Sequence, residues 1–359
     1  ISEFLETHGA DYTVRLFDEI VRRTNRRMRA AIEKLPNGSY SFSDVMDDDG
    51  AGTEDILITL KITKSDHDIF FDFAGSDDQV LGNFNLTFNA TQSAVCYALK
   101  ALLDPEVPNN QGIFDAIRIE APPGSFLNCV SPAPVAMRAN TCQRVVDVVI
   151  GALAEALPDQ VVGAANGANT SAVFSGIDPR TSQQYVYLET LGGGMGARAT
   201  KDGKDGVQVN ITNTSNLPVE AIEMEYPLRV EDYALIADSG GAGKHRGGMG
   251  IRRSIRPVGH TCEFNGVGER FRNQPWGIFG GQSGAAGMFE MVDCKGNTTS
   301  LSSKASRVKL SPDARVVIST PGAGGYGAPE DRKPEALAED QASGKFTKGF
   351  LASNYARKD

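Results

Sequence analysis

The spacing of apolar positions changes several times along the chain, and each change predicts an element boundary. Over residues 3–35, Leu5, Leu16, Ile20 and Ala31 fall at helical spacing, and Pro36-Asn37-Gly38 supplies a stop. From Gly38 the period drops to two. Ser39-Tyr40-Ser41-Phe42 and residues 56–63 (ILITLKIT) alternate, and residues 69–73 follow as a further strand of a β-meander. Asp47-Asp48-Asp49-Gly50 reads as a solvated turn, because it lacks the ligand spacing of an EF-hand. Residues 90–103 return to helical spacing and end at Asp104-Pro105, and residues 116–119 form a short strand.

Residues 141–157 predict a helix apolar on most sides, with Val145, Val148, Val149, Ala152, Leu153 and Ala156. A helix of that kind is buried. Its first turn carries Arg138, Asn140, Thr141, Gln143 and Arg144, with Asn140 or Thr141 suited to the N-cap. A buried helix whose N-terminus is flanked by arginines is a ready anion site. The other reading pairs these arginines with Asp147 or another acidic neighbour. Short strands follow at residues 172–174, 185–188 and 251–257, and the charged, weakly helical stretch from Glu330 reads as a docking tail. Strands outnumber helices and no regular βαβ alternation occurs, so the predicted class is mixed α+β, β-rich, with several sheets and a few buried helices. The expected division is a helical lead-in over 1–36, a main β-rich domain over 37–330 and the tail over 331–359.

Two glycine clusters interrupt this pattern, Gly192-Gly193-Gly194-Met195-Gly196 and the run from Gly240 to Gly250. Either they make tight turns or they bring backbone close to another backbone or a ligand. Between them lie Asn210, Thr212, Asn213, Thr214 and Asn216. A Walker A loop is excluded, because Asp238 stands where its first glycine belongs and His245 follows Gly243-Lys244. The GxGxxG dinucleotide pattern fails as well, since a turn follows Gly192 and Gly194 where a helix is needed.

With 40% hydrophobic and 23% charged residues the composition is that of a soluble globular protein. A net charge of −9 argues against nucleic-acid binding. No apolar run approaches the roughly 20 residues that span a bilayer. Five dispersed cysteines without a C-x-x-C pair argue for reduced thiols and a cytoplasmic setting. The basic stripe Arg22-Arg23 to Arg29 is a solvated helix face or a subunit contact.

Arg138-x-x-Thr141-x-x-Arg144 is followed in order by ANGANTS, ETLGGGMGAR, DGKDG, TNTSNLPVEAIEMEYPL, DSGGAGKHRGGMGI, PWGIFGG and TPGAGGYG. This series, covering nearly the whole chain, resembles the hydantoinase B/oxoprolinase family. The resemblance implies the second part of an ATP-dependent cyclic-amide hydrolase (hydantoin, 5-oxoproline or a similar lactam). In such systems a hydantoinase A-type partner binds ATP and phosphorylates the substrate carbonyl. A ketone carboxylase of the acetone or acetophenone type, and a non-catalytic scaffold half, are the alternatives.

The resemblance further implies a hetero-oligomer with the A-type subunit. It also implies a further N-terminal half of the B-type part, which carries a divalent metal (Mn, Mg or Zn). The four histidines here, His8, His67, His245 and His260, form no ligand pair. On this reading Glu189 and Arg138 are the catalytic candidates. Arg144, Asn140, Thr141, Asn166, Asn169, Asn210 and Asn213 would bind substrate.

Overall fold

The computed structural model describes residues 1–356. The lead-in is two helices rather than one, α1 (Ser2–His8) and α2 (Ala10–Ile32), because Gly9 takes a φ of 80° that breaks the helical path. The last turns of α2 bury Thr24, Met28, Ala31 and Ile32, whereas Val14, Phe17 and Ile20 on the same stripe stay exposed.

The period-two segments form β1 (Gly38–Asp48), β2 (Glu54–Ser65) and β3 (Asp68–Asp72), an antiparallel meander, with β4 (Arg118–Glu120) parallel to β3. Against this sheet pack α3 (Phe88–Leu103) and α5 (Arg138–Ala152), while α4 (Gln111–Phe114) packs on α2. Their shared core includes Met46, Ile58, Leu60, Ile62 and Phe71 with Val95, Leu99, Val145 and Val149. Removing these apolar faces from water supplies the main drive for docking.

The second half is a β-sandwich. Its strands are β5 (Thr170–Ile177), β6 (Gln184–Leu191), β7 (Leu228–Leu235), β8 (Ile251–Pro257) and β9 (Cys262–Val267), with α6 (Val219–Glu225) between β6 and β7. β10 (Met288–Val292), β11 (Thr298–Leu301), β12 (Val308–Leu310) and β13 (Arg315–Ser319) complete it. One sheet runs β12-β9-β5-β6 and the other β11-β10-β13-β8-β7. Phe174, Tyr187 and Phe264 of the first pack with Ile255, Phe289 and Ile318 of the second, and the Phe264 and Phe289 rings meet edge-on at 5.8 Å. Mixed sheets and helices in this arrangement are the expected α+β class.

The glycine clusters are not tight turns. Their backbones run extended without joining a sheet, and they bond to one another crosswise. Gly194 donates to the Pro321 carbonyl at 3.1 Å, Ala197 to Gly324 at 3.0 Å, Gly248 to Met195 at 2.9 Å and Gly241 to Ala323 at 2.8 Å. A Cβ on Gly196 would lie 1.8 Å from the Gly163 carbonyl oxygen, and one on Gly247 1.8 Å from that of Ala323. Close backbone approach, rather than left-handed φ, is what these positions demand.

The described part of the C-terminal tail packs on this same chain; residues 357–359 lie outside the described residues. It forms α7 (Pro334–Ala342) and α8 (Lys348–Asn354). Arg246 donates from Nε to Asp340 at 3.0 Å and Arg332 donates from Nε to the same carboxylate at 3.0 Å. Phe346 and Tyr355 bury against Ala242 and Met249, and Gly243 donates to the Tyr355 hydroxyl at 3.1 Å.

Candidate functional site

Helix α5 sits where the helical half, the glycine segments and the sandwich meet. Its N-cap is Met137, so Asn140 and Thr141 lie inside the helix rather than capping it. Both are buried and bonded to other segments. Asn140 Oδ1 accepts from the Asn169 amide at 2.6 Å, and Thr141 Oγ1 donates to the Phe84 carbonyl at 2.6 Å. Arg138, the first helical residue, is exposed. It has no ion-pair partner among the described residues, and its guanidinium makes only a 3.5 Å bond to the Val135 carbonyl.

One turn on, Gln143 is fully buried and gathers a cluster of amides. Its Nε2 donates to Asn169 Oδ1 at 3.1 Å, to the Val209 carbonyl at 3.1 Å and to Thr212 Oγ1 at 2.6 Å. Asn166 is buried beside the first glycine cluster, where its Nδ2 donates to the Gly194 carbonyl at 3.2 Å. Asn210 holds a φ of 48°, a conformation asparagine tolerates better than most residues, and its Nδ2 is buried without a partner. Asn213 is exposed. The structure therefore brings Asn140, Asn169 and the 209–213 segment together at the start of α5, with Arg138 at the rim. Gln143 and Thr212 belong to this cluster and were not among the expected binding residues. The helical spacing of Asn140 and Gln143, three apart on one face, is the sequence signal that could have found Gln143.

Glu189 and Arg144 are placed elsewhere. Glu189 alternates inward on β6 and its Oε1 accepts from Arg253 NH1 at 2.6 Å inside the sandwich, with only 6% of the residue exposed. Strand periodicity decides this, because Tyr187, Glu189 and Leu191 face the interior while Thr190 faces out toward Thr214. No hydrogen bond links Glu189 to the amide cluster among the described residues.

Arg144 faces the helical half and is consumed by structure. It bonds Asp44 Oδ1 at 3.2 Å, the Val45 carbonyl, and Glu269 Oε2 at 3.5 Å. Arg270 completes the set, with NH2 at 2.8 Å from Asp44 Oδ2 and 2.9 Å from Asp147 Oδ2. Lys304 donates to Glu269 Oε1 at 2.6 Å. Asp47, expected in a solvated turn, is instead fully buried and accepts from the amides of Phe271, Arg272 and Asn273. Asp49 is 3% exposed and accepts from the amides of Ala51, Thr53 and Gly82. The acidic run thus grips backbone, because β1 carries it into the seam between the two halves.

Burial opposes ionisation of Asp44, but Arg270 and Arg144 outweigh it and hold the carboxyl at about 2, from an ordinary 3.8. Burial pushes Glu269 and Asp147 the other way, only partly offset by Lys304 and Arg270 respectively. A depressed carboxylate stabilises the fold above its ordinary value and loses that contribution as pH falls through the folded one. The raised pair has the opposite sign, costing stability as pH climbs above the ordinary carboxylate range. Between pH 4 and 2 the Asp44 contribution, about 2 kcal/mol, should therefore disappear. Acid titration of the unfolding midpoint checks this, and Asp44→Asn should flatten the curve in that window. An unchanged slope would show that Asp44 does not carry it.

Among the described residues no three His, Cys, Asp or Glu side chains converge as metal ligands. His245 faces Asp202 at 3.6 Å, His260 bonds the Tyr185 hydroxyl at 2.7 Å, and His67 pairs with Glu33 at the surface. A divalent metal does not fit this set. Cys142 is a core thiol pushed up to about 11 by burial, which makes it a poor nucleophile. A surface groove of about 650 Å³ is lined by Cys96, Tyr97, Ala101, Ile113 and Phe114 and shares no residue with the amide cluster.

The sequence profile of the hydantoinase B/oxoprolinase family matches residues 1–329. The chain belongs to this family. An uncharacterised protein of Methanocaldococcus jannaschii is 40% identical over 81% of this chain and 50% of its own length. A Pseudomonas sp. protein, proposed to be the B-type component of a D-/L-hydantoinase, is 33% identical over 96% of this chain and 60% of its own. This chain thus spans 50 to 60% of the length of these relatives. Two solved structures share its fold. One is an ATP-dependent caprolactamase from Pseudomonas jessenii, with a TM-score of 0.90, 24% identity and coverage of 98% of this chain and 62% of that one. The other is a nucleotide-free acetone carboxylase, with a TM-score of 0.85, 18% identity and coverage of 99% and 54%.

Proposed function

We propose that this chain is the C-terminal portion of the B-type component in an ATP-dependent cyclic-amide hydrolase. It would act on a lactam whose carbonyl oxygen has been phosphorylated by an A-type partner. The observation that carries the reading is the set of amide side chains gathered at the N-terminus of α5, beside an arginine that no acidic group neutralises among the described residues. Uncharged amides suit a neutral cyclic amide, and the helix terminus with Arg138 suits the phosphate placed on it. The 33% identity to a proposed D-/L-hydantoinase component supports the same class.

In the activated lactam, water adds to the ring carbonyl carbon and its proton passes to the ring nitrogen as the C–N bond breaks. The acyl phosphate so formed takes a second water and releases inorganic phosphate. Per turnover the sequence consumes one ATP and two waters. ATP belongs to the A-type partner, and the divalent metal belongs to the N-terminal half of the B-type component. The residues of this chain bind and orient. Asn140 and Asn169 at the start of α5, and Asn166 beside the first glycine cluster, would orient the substrate's amide groups, and Arg138 would hold phosphate. Glu189 acts through Arg253 and the sandwich rather than on substrate.

The test is lactam-dependent ATP consumption by the assembled complex, with and without bicarbonate. Arg138→Ala should lower kcat/KM by roughly 10- to 100-fold, the worth of one charge-assisted hydrogen bond, with an unchanged melting temperature. Unaltered turnover would remove Arg138 from the site. Carboxylation of a ketone, with no lactam consumed, would overturn the hydrolase reading.

A further inference from the structure

Residues 211–217 lie against the amide cluster and form neither strand nor helix. Neither the amides nor the carbonyls of Asn213 to Leu217 make a hydrogen bond among the described residues. Side chains alone hold the segment down. Thr212 Oγ1 accepts from Gln143 Nε2 at 2.6 Å and donates to Asn169 Oδ1. Thr214 Oγ1 lies 3.1 Å from Thr190 Oγ1 on β6, and Asn216 Nδ2 donates to the Tyr233 hydroxyl on β7. These strands are the edges of the two sheets, so the segment is tied to both edges of the sandwich with Thr212 set into the cluster.

The two ends of the segment are pivots. Asn210 holds a φ of 48°, and Pro218, the N-cap of α6, fixes the other end. Ile211 and Leu217 are both exposed, so little apolar burial resists lifting. The closed position also leaves Gln143 Oε1 and Asn210 Nδ2 buried, each with no hydrogen-bond partner. Such atoms cost stability that water restores once the segment lifts. Side-chain tethers above and unpaired groups beneath put this segment at the low-stability end of the fold.

We propose that residues 211–217 are a strap that shuts the amide cluster, with Thr212 as its plug, and that it swings about Asn210 and Pro218 to admit substrate. Shut, Thr212 itself takes the Gln143 donor and the Asn169 acceptor. Lifted, it leaves both free for a ligand. The shut population therefore weakens apparent affinity in proportion to the fraction of molecules that are open. This gating rests on the reading of the cluster as the substrate site, and it asks nothing of the substrate beyond entry there.

The test is a reversible lock. Thr190→Cys with Thr214→Cys puts two thiols where the hydroxyl oxygens stand 3.1 Å apart, within reach of a disulfide, and Cys294→Ser removes the exposed native thiol. In the assembled complex the oxidised form should lose roughly 10-fold or more in kcat/KM, and dithiothreitol should restore it. Thermolysin, which cuts before isoleucine and leucine, should cleave the reduced form ahead of Ile211 or Leu217 and spare the oxidised one. Asn216→Ala works in the opposite direction. Removing one tether raises the open fraction and should lower KM about 2- to 10-fold, the worth of one hydrogen bond, with an unchanged melting temperature.

Full turnover by the oxidised form, or equal cleavage of the two forms, overturns the strap. If the double cysteine variant does not fold, Asn216→Ala decides, because a merely structural segment would leave KM alone or raise it. A lock that stops ketone carboxylation in a complex that consumes no lactam keeps the strap and sinks the proposed function. Lactam turnover indifferent to the lock does the reverse.

Discussion

Gly196→Ala should leave almost no folded protein. The added Cβ would lie 1.8 Å from the Gly163 carbonyl oxygen and 2.6 Å from its carbon, both backbone atoms that cannot rotate away. Relief requires moving the 163–168 segment. That segment also holds the Ala164 amide at 2.9 Å from the Trp276 carbonyl and receives the Gly324 amide at 2.9 Å. Overpacking usually costs about 1–3 kcal/mol, and a clash against fixed backbone falls at or beyond the upper end. Soluble yield and the urea midpoint measure it. Gly349→Ala is the control, because a Cβ there meets nothing closer than the Thr347 hydroxyl at 3.9 Å and alanine is the better helix former within α8. Equal stability of the two variants would show that the glycine segments tolerate separation.

Arg270→Met is the second large effect. It removes the cation between Asp44 and Asp147 and leaves both carboxylates buried with one fewer positive partner. Breaking a buried pair from one side costs about 3–5 kcal/mol, because the stranded charge keeps its desolvation penalty. The loss should be read from chemical unfolding at neutral pH and should shrink at acid pH, where the stranded carboxylates protonate. Arg270→Lys should recover only part of it, since an ammonium cannot bond both carboxylates with a fixed fork. A cost below about 1 kcal/mol would mean that water already shares this network.

Much of the fold was legible in the sequence because local pattern and tertiary role agree there. The alternation of residues 56–63 is the β2 core face, and residues 251–257 coincide with β8. The buried character of α5 followed from its apolar residues on most sides. Where the reading departed, a long-range partner decides the local state. Asp47 looks like a turn residue until the amides of Phe271–Asn273 close on it from 224 to 226 positions away. Arg144 looks like an anion binder until Asp44 and Glu269 are placed. Nothing local marks Arg270, a buried arginine at a φ of 64°.

The candidate site was half legible for the same reason. Amide-rich motifs named Asn140, Asn169 and Asn210, and the structure draws them to one helix end. Glu189 was singled out by its neighbours in the motif, but strand alternation turns it into the sandwich. Gln143 shares a face with Asn140, which spacing shows, but the partners it gathers, Asn169, Val209 and Thr212, lie 26 to 69 positions away, which no spacing rule contains.

The charge seam between the two halves also sets the order in which the molecule can become itself. Asp44, Arg144 and Asp147 leave the ribosome first, but Glu269 and Arg270, which pair with them, arrive more than a hundred residues later. Until then Arg144 has Asp44 within reach, but Asp147 is a carboxylate on a surface destined for the interior with its cation Arg270 still to come. Native packing of this seam therefore waits for chain segments that translation supplies afterwards.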